Sequence, residues 1–139
     1  MNEKDRLDQI SRRIIGAAIE VHKTVGSGLL ESAYQACLAF ELRQQGFKVE
    51  EQKPLAVVYK NVHLDCGYRL DLVVEDAIIV EIKAVEQLAP IHEAQLLSYL
   101  RLSNRRVGLL MNFHSRVLVD GLKRIVNEFP DSALSAATS

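Results

Sequence analysis

The sequence has no tryptophan, few cysteines and no long apolar run, and each shortage narrows the class of protein. Cys37 and Cys66 belong to no C-x-x-C pair, which argues against a zinc site or an iron–sulfur cluster. No apolar stretch approaches the roughly 20 residues of a membrane span. The charged start "MNEKDRLDQI" also lacks the apolar segment of an export signal. We therefore expect a reduced, cytoplasmic protein that does not associate with membranes.

The chain also lacks a strong net charge. It has 17 Lys and Arg against 18 Asp and Glu, for a net charge of -1 and a pI near 6.4. If the protein binds nucleic acid, the positive charge must be local or supplied by a metal ion. A glycine-rich phosphate loop is missing too, because "GSG" at 26–28 is not a dinucleotide fingerprint.

The composition suits one folded domain. The chain has 139 residues, 48% of them hydrophobic and 6% aromatic, so its core must be mostly aliphatic. We place this domain at residues 1–128. The small, polar tail at 129–139 is expected to be disordered.

Apolar spacing and turn residues predict the secondary structure. Helices are predicted at about 5–24, 30–45 and 90–102, the second ending at Gly46. Strands are predicted near 48–52 and 55–59 on either side of Pro54, after the Lys60-Asn61 turn, twice within 68–84, at 106–113, and on both sides of Asp120-Gly121. The order, ααβββββαβββ, indicates an α/β (α+β) domain with a mixed sheet flanked by helices.

One predicted hairpin contains unexpected charges. The segment "YRLDLVVEDAIIVEIKA", residues 68–84, is apolar except where Asp71, Glu81 and Lys83 interrupt the pattern of a buried strand pair. Burying a charge is costly unless it is paired or binds a metal. Outward-facing strands with solvated charges are common, so the spacing alone leaves a metal site and an ordinary surface as equal alternatives.

The turn of this hairpin decides whether the two carboxylates meet. A two-residue loop would pair Asp71 with Val80 and turn Glu81 to the opposite face. A three-residue loop at 75–77 would pair Asp71 with Glu81, and we predict this register. Carboxylates side by side repel each other, whereas a divalent cation between them reverses the interaction.

The spacing D-x(9)-E-x-K, here Asp71, Glu81 and Lys83, resembles the PD-(D/E)XK nuclease superfamily. Leu70 precedes the aspartate where the pattern has proline, a departure that many divergent members tolerate. From about residue 10 to residue 127 the chain is similar to a bacterial family within that superfamily, named after a G-x-x-E-x-x-Y motif. The resemblance implies a single restriction-endonuclease-like domain.

Two further motifs extend the resemblance. Gly28, Glu31 and Tyr34 match G-x-x-E-x-x-Y. Gln95 and Tyr99 match the Q-x-x-x-Y motif of relatives of the RecB nuclease. Some of those relatives carry four cysteines for an iron–sulfur cluster, and this chain does not.

The resemblance also implies roles for the residues. Asp71 and Glu81 would ligate Mg²⁺ or Mn²⁺ together with the backbone carbonyl of Ile82. Glu31 would add a third acidic group, and Lys83 would position or activate the attacking water.

The helix residues have further interpretations. Gln95 would contact the water or a phosphate, and Tyr99 would support Lys83 or the substrate. His92 shares their stripe, and the sequence leaves it open between a site wall and an exposed helix flank. Glu31 also suits a helix N-terminus.

The remaining polar residues have less specific interpretations. Tyr34 is expected in the core with its hydroxyl satisfied, and His22 as a satisfied buried histidine without a metal. The following five residues could form a basic rim for a phosphate backbone or could simply be solvated: Arg101, Arg105, Arg106, Lys123 and Arg124.

These observations favour a metal-dependent nuclease that acts on DNA, with RNA as the alternative substrate. The alternative is a catalytically inactive module of the same fold that binds nucleic acid or a protein partner. A purely structural protein would leave the carboxylate pair unexplained. Because the domain has little beyond its core, a homodimer or a protein partner could supply substrate recognition.

Overall fold

The computed structural model describes residues 1–128. The expected disorder of residues 129–139 lies outside the described residues. The elements, in chain order, are α1 (Glu3–Val25), α2 (Glu31–Gln44), β1 (Val49–Tyr59), β2 (Val62–Val74), β3 (Ile78–Lys83), α3 (Pro90–Ser103), β4 (Val107–Asn112), a 3₁₀ turn (Leu118–Gly121) and β5 (Leu122–Val126). Within this part of the chain no helix is both long and apolar enough to cross a membrane.

The five strands form one mixed sheet in the order β1-β2-β3-β4-β5. Neighbouring strands are antiparallel except β3 and β4, which run parallel and are joined through α3. Alternating side chains of β3 enter two cores. Ile78, Val80 and Ile82 pack with α1 and α2, and Ile79 packs with α3. The predicted mixed sheet flanked by helices is therefore confirmed.

The predicted number of strands is wrong. The segments on either side of Pro54 are one strand, β1, because β1 is an edge strand where the missing N–H of a proline leaves no ladder bond unmade. The hairpin at Asp120-Gly121 is also wrong. These residues end the 3₁₀ turn, and β5 pairs with β4 because β4 offers an open edge. A Cβ on Gly121 would come within 2.8 Å of the Asn112 carbonyl, so the turn packs tightly against the end of β4.

The Lys60-Asn61 turn is confirmed. Tyr59 pairs with Val62, and both turn residues have positive φ, as a tight two-residue hairpin requires. The outer part of the hairpin, residues 56–69, which we call the arm, is largely exposed. The register shifts between Leu55 and Val57, which leaves a bulge on β2 near its start.

Candidate active site

The candidate site lies where β2 and β3 separate. The turn at 75–77 has three residues, as predicted, because Val74 pairs with Ile78. The ladder continues to Leu72 and Val80 and ends there. Beyond that point β2 stays paired with β1 and β3 stays paired with β4, so a gap opens within the sheet. The next residues on the two strands are Asp71 and Glu81.

The two carboxylates fill this gap with crossed hydrogen bonds. The Asp71 backbone N–H donates to Glu81 Oε2 at 2.8 Å, and the Ile82 backbone N–H donates to Asp71 Oδ2 at 2.8 Å. Each side chain therefore replaces a backbone carbonyl of the missing ladder. The predicted juxtaposition of Asp71 and Glu81 is present in the structure.

The pair is buried enough to shift its ionisation. Glu81 is 6% exposed, and its burial, followed by the nearby charge of Asp71, raises its pKa to about 8. Burial also raises the pKa of Asp71. The charge of Asp71 contributes to the raised pKa of Glu81, but removal from water is the larger cause. At neutral pH the metal-free site therefore holds a proton on Glu81.

Lys83 lies at the end of β3, on the same alternation as Glu81. Its positive charge lowers the pKa of both carboxyl groups, although burial outweighs it. Within residues 1–128 the Lys83 ammonium forms no ion pair, and its backbone carbonyl accepts from Phe113 N–H at 2.8 Å. The ammonium is thus available to a ligand at the gap.

Glu31 reaches the same region from the first turn of α2. Its Oε2 accepts a hydrogen bond from the Ala84 backbone N–H at 3.2 Å, just beyond β3. Its charge also raises the pKa of Asp71 and Glu81, after the stronger effect of burial. In the described part of the chain no three His, Cys, Asp or Glu side chains are gathered closely enough to hold a metal ion. Glu31 as a third ligand therefore stays a prediction.

Tyr34 anchors the loop that precedes α2. Its side chain is fully buried, its hydroxyl donates to the Gly26 carbonyl at 2.6 Å, and it accepts from the Leu29 N–H at 3.1 Å. Its ring stacks on Phe113 with centroids 4.5 Å apart. The interpretation as a core tyrosine with a satisfied hydroxyl is confirmed. Tyr34 holds the loop that leads to Glu31.

Helix α3 brings Tyr99 close enough to the carboxylates for their charges to affect its pKa. Burial, followed by the charge of Glu81, raises the pKa of Tyr99 to about 12, so its hydroxyl stays protonated. The Tyr99 ring meets the edge of Tyr68 with centroids 5.7 Å apart. Gln95 is half-buried and lines a groove between α3 and the arm, together with Tyr68 and Tyr99. The helix approaches closely because Leu96 packs on Gly108 of β4.

His92 and His22 lie outside this group of residues. His92 Nδ1 accepts from the Ala89 N–H at 3.0 Å and so caps the start of α3. His22 Nε2 lies 2.8 Å from the Ser115 carbonyl and is half-buried, so its polar atom is satisfied as predicted.

Two of the five residues that could form a basic rim are held in ion pairs. Arg105 forms an ion pair with Asp76 at 2.8 Å, and Arg124 forms one with Asp8 at 2.7 Å. Asp76 belongs to the turn before β3, and a strand rises roughly 3.3 Å per residue. Arg105 therefore lies at the far end of β3 from Lys83. The sequence alone does not reveal this position, because arginines that are close in sequence need not be close to the same site in the fold.

One residue of the site was missed by the sequence reasoning. Gln52 of β1 donates from Nε2 to Asp71 Oδ1 at 3.1 Å and to Gln35 Oε1 at 2.6 Å. A single glutamine in an edge strand matches no motif. Its position in the β1–β2 register, opposite Asp71, was the available signal, but it required knowing that β1 is continuous through Pro54.

The donor set fits a hard divalent cation. Two carboxylates lie together in a buried gap where their charges are unfavourable, and oxygen ligands of this kind suit Mg²⁺ or Mn²⁺. Glu81 uses Oε2 for the hydrogen bond to Asp71, and within residues 1–128 its Oε1 accepts none. That oxygen is free for a ligand.

Comparison with known proteins gives one match. A family model described as PD-(D/E)XK nuclease superfamily matches residues 8–125. No curated protein and no solved structure matches the chain.

Proposed function

The chain belongs to the PD-(D/E)XK nuclease superfamily, and we propose that it is a metal-dependent nuclease that hydrolyses phosphodiester bonds of DNA, with RNA as the alternative substrate. The observation that carries this proposal is the crossed pair of Asp71 and Glu81 in the gap between β2 and β3. The backbone ladder between β2 and β3 is interrupted at this point, and the side chains of Asp71 and Glu81 lie together in its place. A site that binds a cation accounts for that arrangement, whereas a structural sheet does not.

Asp71 and Glu81 would hold Mg²⁺ or Mn²⁺, with the Ile82 backbone carbonyl as a further ligand and Glu31 as a third acidic group. Such an ion polarises a phosphoryl oxygen and lowers the pKa of a bound water. Glu81 must lose its proton first, because its pKa is raised to about 8 by burial and by Asp71. Metal binding and proton release are therefore coupled.

The other side chains would act on the substrate. The Lys83 ammonium would stabilise negative charge that develops on the phosphate, or orient the attacking water. The Gln95 amide lies in the adjoining groove, where it could hold that water or a phosphate oxygen. The Tyr99 hydroxyl stays protonated at any physiological pH and would donate a hydrogen bond to the substrate. These roles also agree with a proposed relationship to the G-x-x-E-x-x-Y family and to RecB-like nucleases.

We propose that the nucleic acid runs along the groove between α3 and the arm. Tyr68 is 42% exposed beside Tyr99, so one aromatic ring faces solvent within reach of the carboxylates. Bases stack on such rings with little sequence preference. Lys60 and Arg69 outnumber Asp65 in the arm, so the arm has a small positive charge in a chain whose net charge is -1. A homodimer or a protein partner in the cytoplasm would add recognition that this small domain lacks.

A second function remains in competition, and a specific observation favours it. Both oxygens of Asp71 already accept hydrogen bonds, from Ile82 and Gln52, and Glu81 is protonated at neutral pH. A domain with this network could be stable without a cation. It would then be an inactive module that binds nucleic acid.

The deciding experiment is a cleavage assay. Labelled single- and double-stranded DNA and RNA are incubated with Mg²⁺ or Mn²⁺ and wild type, Lys83→Ala or Lys23→Ala protein. Lys23 is an exposed lysine at the end of α1 and is the matched control. We expect metal-dependent cleavage of DNA that falls at least about 100-fold in Lys83→Ala and is unchanged in Lys23→Ala.

Two results would count against the enzyme. DNA binding without cleavage by the wild type would favour the inactive module. Calorimetry that shows no divalent-ion binding dependent on Asp71 and Glu81 would remove the metal site itself.

A further inference from the structure

Gln52 interrupts β1 at the position that faces the site. In the β1–β2 register Glu51 pairs with Leu72 and Lys53 with Leu70, which places Gln52 opposite Asp71, yet these two form no ladder pair. The Gln52 backbone has a φ of 50°, in the left-handed region. For a residue with a side chain this conformation is sterically unfavourable, because Cβ crowds the following carbonyl oxygen. Such strain persists only where surrounding contacts hold it.

The side chain shows what the unusual backbone achieves. The single Nε2 group of Gln52 donates to Asp71 Oδ1 at 3.1 Å and to Gln35 Oε1 at 2.6 Å. Gln35 in turn donates to Glu51 Oε1 at 3.3 Å, and Arg43 holds Glu51 Oε2 at 2.9 Å. Gln35 and Arg43, which both belong to α2, therefore help to orient the Gln52 amide that bonds the Asp71 carboxylate.

This bond completes the restraint on Asp71. Ile82 N–H holds Oδ2, and Gln52 holds Oδ1. With only the first of these, the Asp71 side chain would be held at one oxygen and could rotate about its Cα–Cβ bond as well as its Cβ–Cγ bond, which would move the carboxylate away from Glu81. A second partner that bonds a ligand side chain typically sets its orientation and its affinity for metal.

We propose that Gln52 is a positioning residue that fixes the carboxylate of Asp71 in its orientation toward the gap. Its consequence for metal affinity rests on the proposed function, whereas its effect on the Asp71 side chain does not. The Gln52 Nε2 group contacts Asp71 and Gln35. It acts only through Asp71.

Three variants separate the side chain from the backbone. Gln52→Gly removes the amide and also relieves the left-handed strain, so it should fold about as stably as wild type. Gln52→Asn tolerates positive φ but is one methylene too short to bond Asp71 and Gln35 together. Asn61→Gly is the control, because Asn61 also has positive φ, 65°, but lies at the tip of the arm. Urea denaturation checks that all three are folded.

The first measurement needs no metal. Three-bond NMR couplings report the χ1 rotamer of Asp71. We expect one rotamer in wild type and in Asn61→Gly, and averaged couplings in both Gln52 variants. A single unchanged rotamer in Gln52→Gly would overturn the proposal.

The second measurement is calorimetric titration with Mn²⁺ alone. We expect the affinity to fall about tenfold or more in both Gln52 variants and to be unchanged in Asn61→Gly. Affinity equal to wild type in folded Gln52→Gly would overturn the link to the metal. If wild type itself binds no Mn²⁺, the proposed function fails, and the NMR couplings alone decide the role of Gln52.

Discussion

Glu81 is the buried charged residue of the described chain, and its surroundings explain its titration. One carboxylate oxygen accepts from the Asp71 backbone, while the apolar residues of β3 and β4 exclude water on either side. Hydrogen bonding favours the charged form and burial disfavours it, and burial prevails. The folded protein therefore retains a proton on Glu81 that an unfolded glutamate releases near pH 4.5.

The proton on Glu81 predicts how stability changes with pH. Between about pH 5 and pH 8 the folded state binds more protons than the unfolded state, so the free energy of unfolding should decrease as pH rises through this window. Glu81→Gln removes the titrating group. We expect the variant to match wild type near pH 5 and to exceed it at pH 8.5 by on the order of 3 kcal/mol.

Urea denaturation across that pH range tests this prediction. Glu86→Gln, which changes an exposed glutamate just after the site, is the control and should follow the wild-type curve. Parallel curves for wild type and Glu81→Gln would contradict the raised pKa of Glu81.

Tyr34 gives a second prediction for a single residue. Tyr34→Phe keeps the stacked ring but leaves the Gly26 carbonyl and the Leu29 N–H without their shared partner. We expect a loss of about 1–2 kcal/mol in the free energy of unfolding, measured by urea denaturation. Tyr59→Phe, in a side chain that is 60% exposed, should change nothing. An equal effect in both variants would show that the buried hydroxyl has no structural role.

Among the elements, the β1–β2 hairpin has two distinct halves. Its inner half is sealed by both cores, with Leu70 and Leu72 fully buried. Its outer half, the arm, exposes apolar and aromatic side chains, including Tyr59 and Tyr68. A strand pair whose outer half covers no core suits contact with a ligand, and the groove beside α3 connects it to Tyr99.

The arm yields a prediction about nucleic-acid binding. Tyr68→Ala removes the exposed ring beside the site, and base stacking on such a ring contributes about 1–3 kcal/mol. In a Lys83→Ala background, where cleavage is prevented, we expect affinity for single-stranded DNA to fall about tenfold or more. Fluorescence anisotropy measures it. Phe40→Ala removes an exposed ring of α2 away from the groove and is the control. Equal affinities in the two variants would exclude the groove as the binding path.

For the whole molecule, cation binding should couple to folding. A ligand present at 100 times its dissociation constant stabilises the folded state by about 2.7 kcal/mol. For a domain of this size that corresponds to a rise of roughly 10 °C in melting temperature. Because Glu81 must release its proton, the shift produced by Mn²⁺ should be larger at pH 8.5 than at pH 6.5.

Calorimetric melting with and without Mn²⁺ measures this shift. Asp71→Asn should abolish it, whereas Asp5→Asn, in the exposed first turn of α1, should retain it. A shift that is the same at both pH values, or that persists in Asp71→Asn, would place the ion elsewhere.

Local sequence determined the helices and the register of the charged hairpin. Apolar spacing identified α1, α2 and α3 to within a few residues, and the three residues between Val74 and Ile78 brought Asp71 beside Glu81. These are short-range consequences of periodicity and turn length. The match of three spaced residues, Asp71, Glu81 and Lys83, also indicated the superfamily before any fold was known.

Only the tertiary structure decided which strands pair and which polar residues reach the site. Pro54 remains within β1 because β1 lies at the edge of the sheet, and β5 pairs with β4 rather than turning back at Gly121. Gln52 contacts Asp71 because β1 continues through Pro54 and its register places the two residues opposite each other, whereas Arg105 pairs with Asp76 at the other end of β3. Such contacts depend on strand order and register across the whole sheet, which local propensity does not specify.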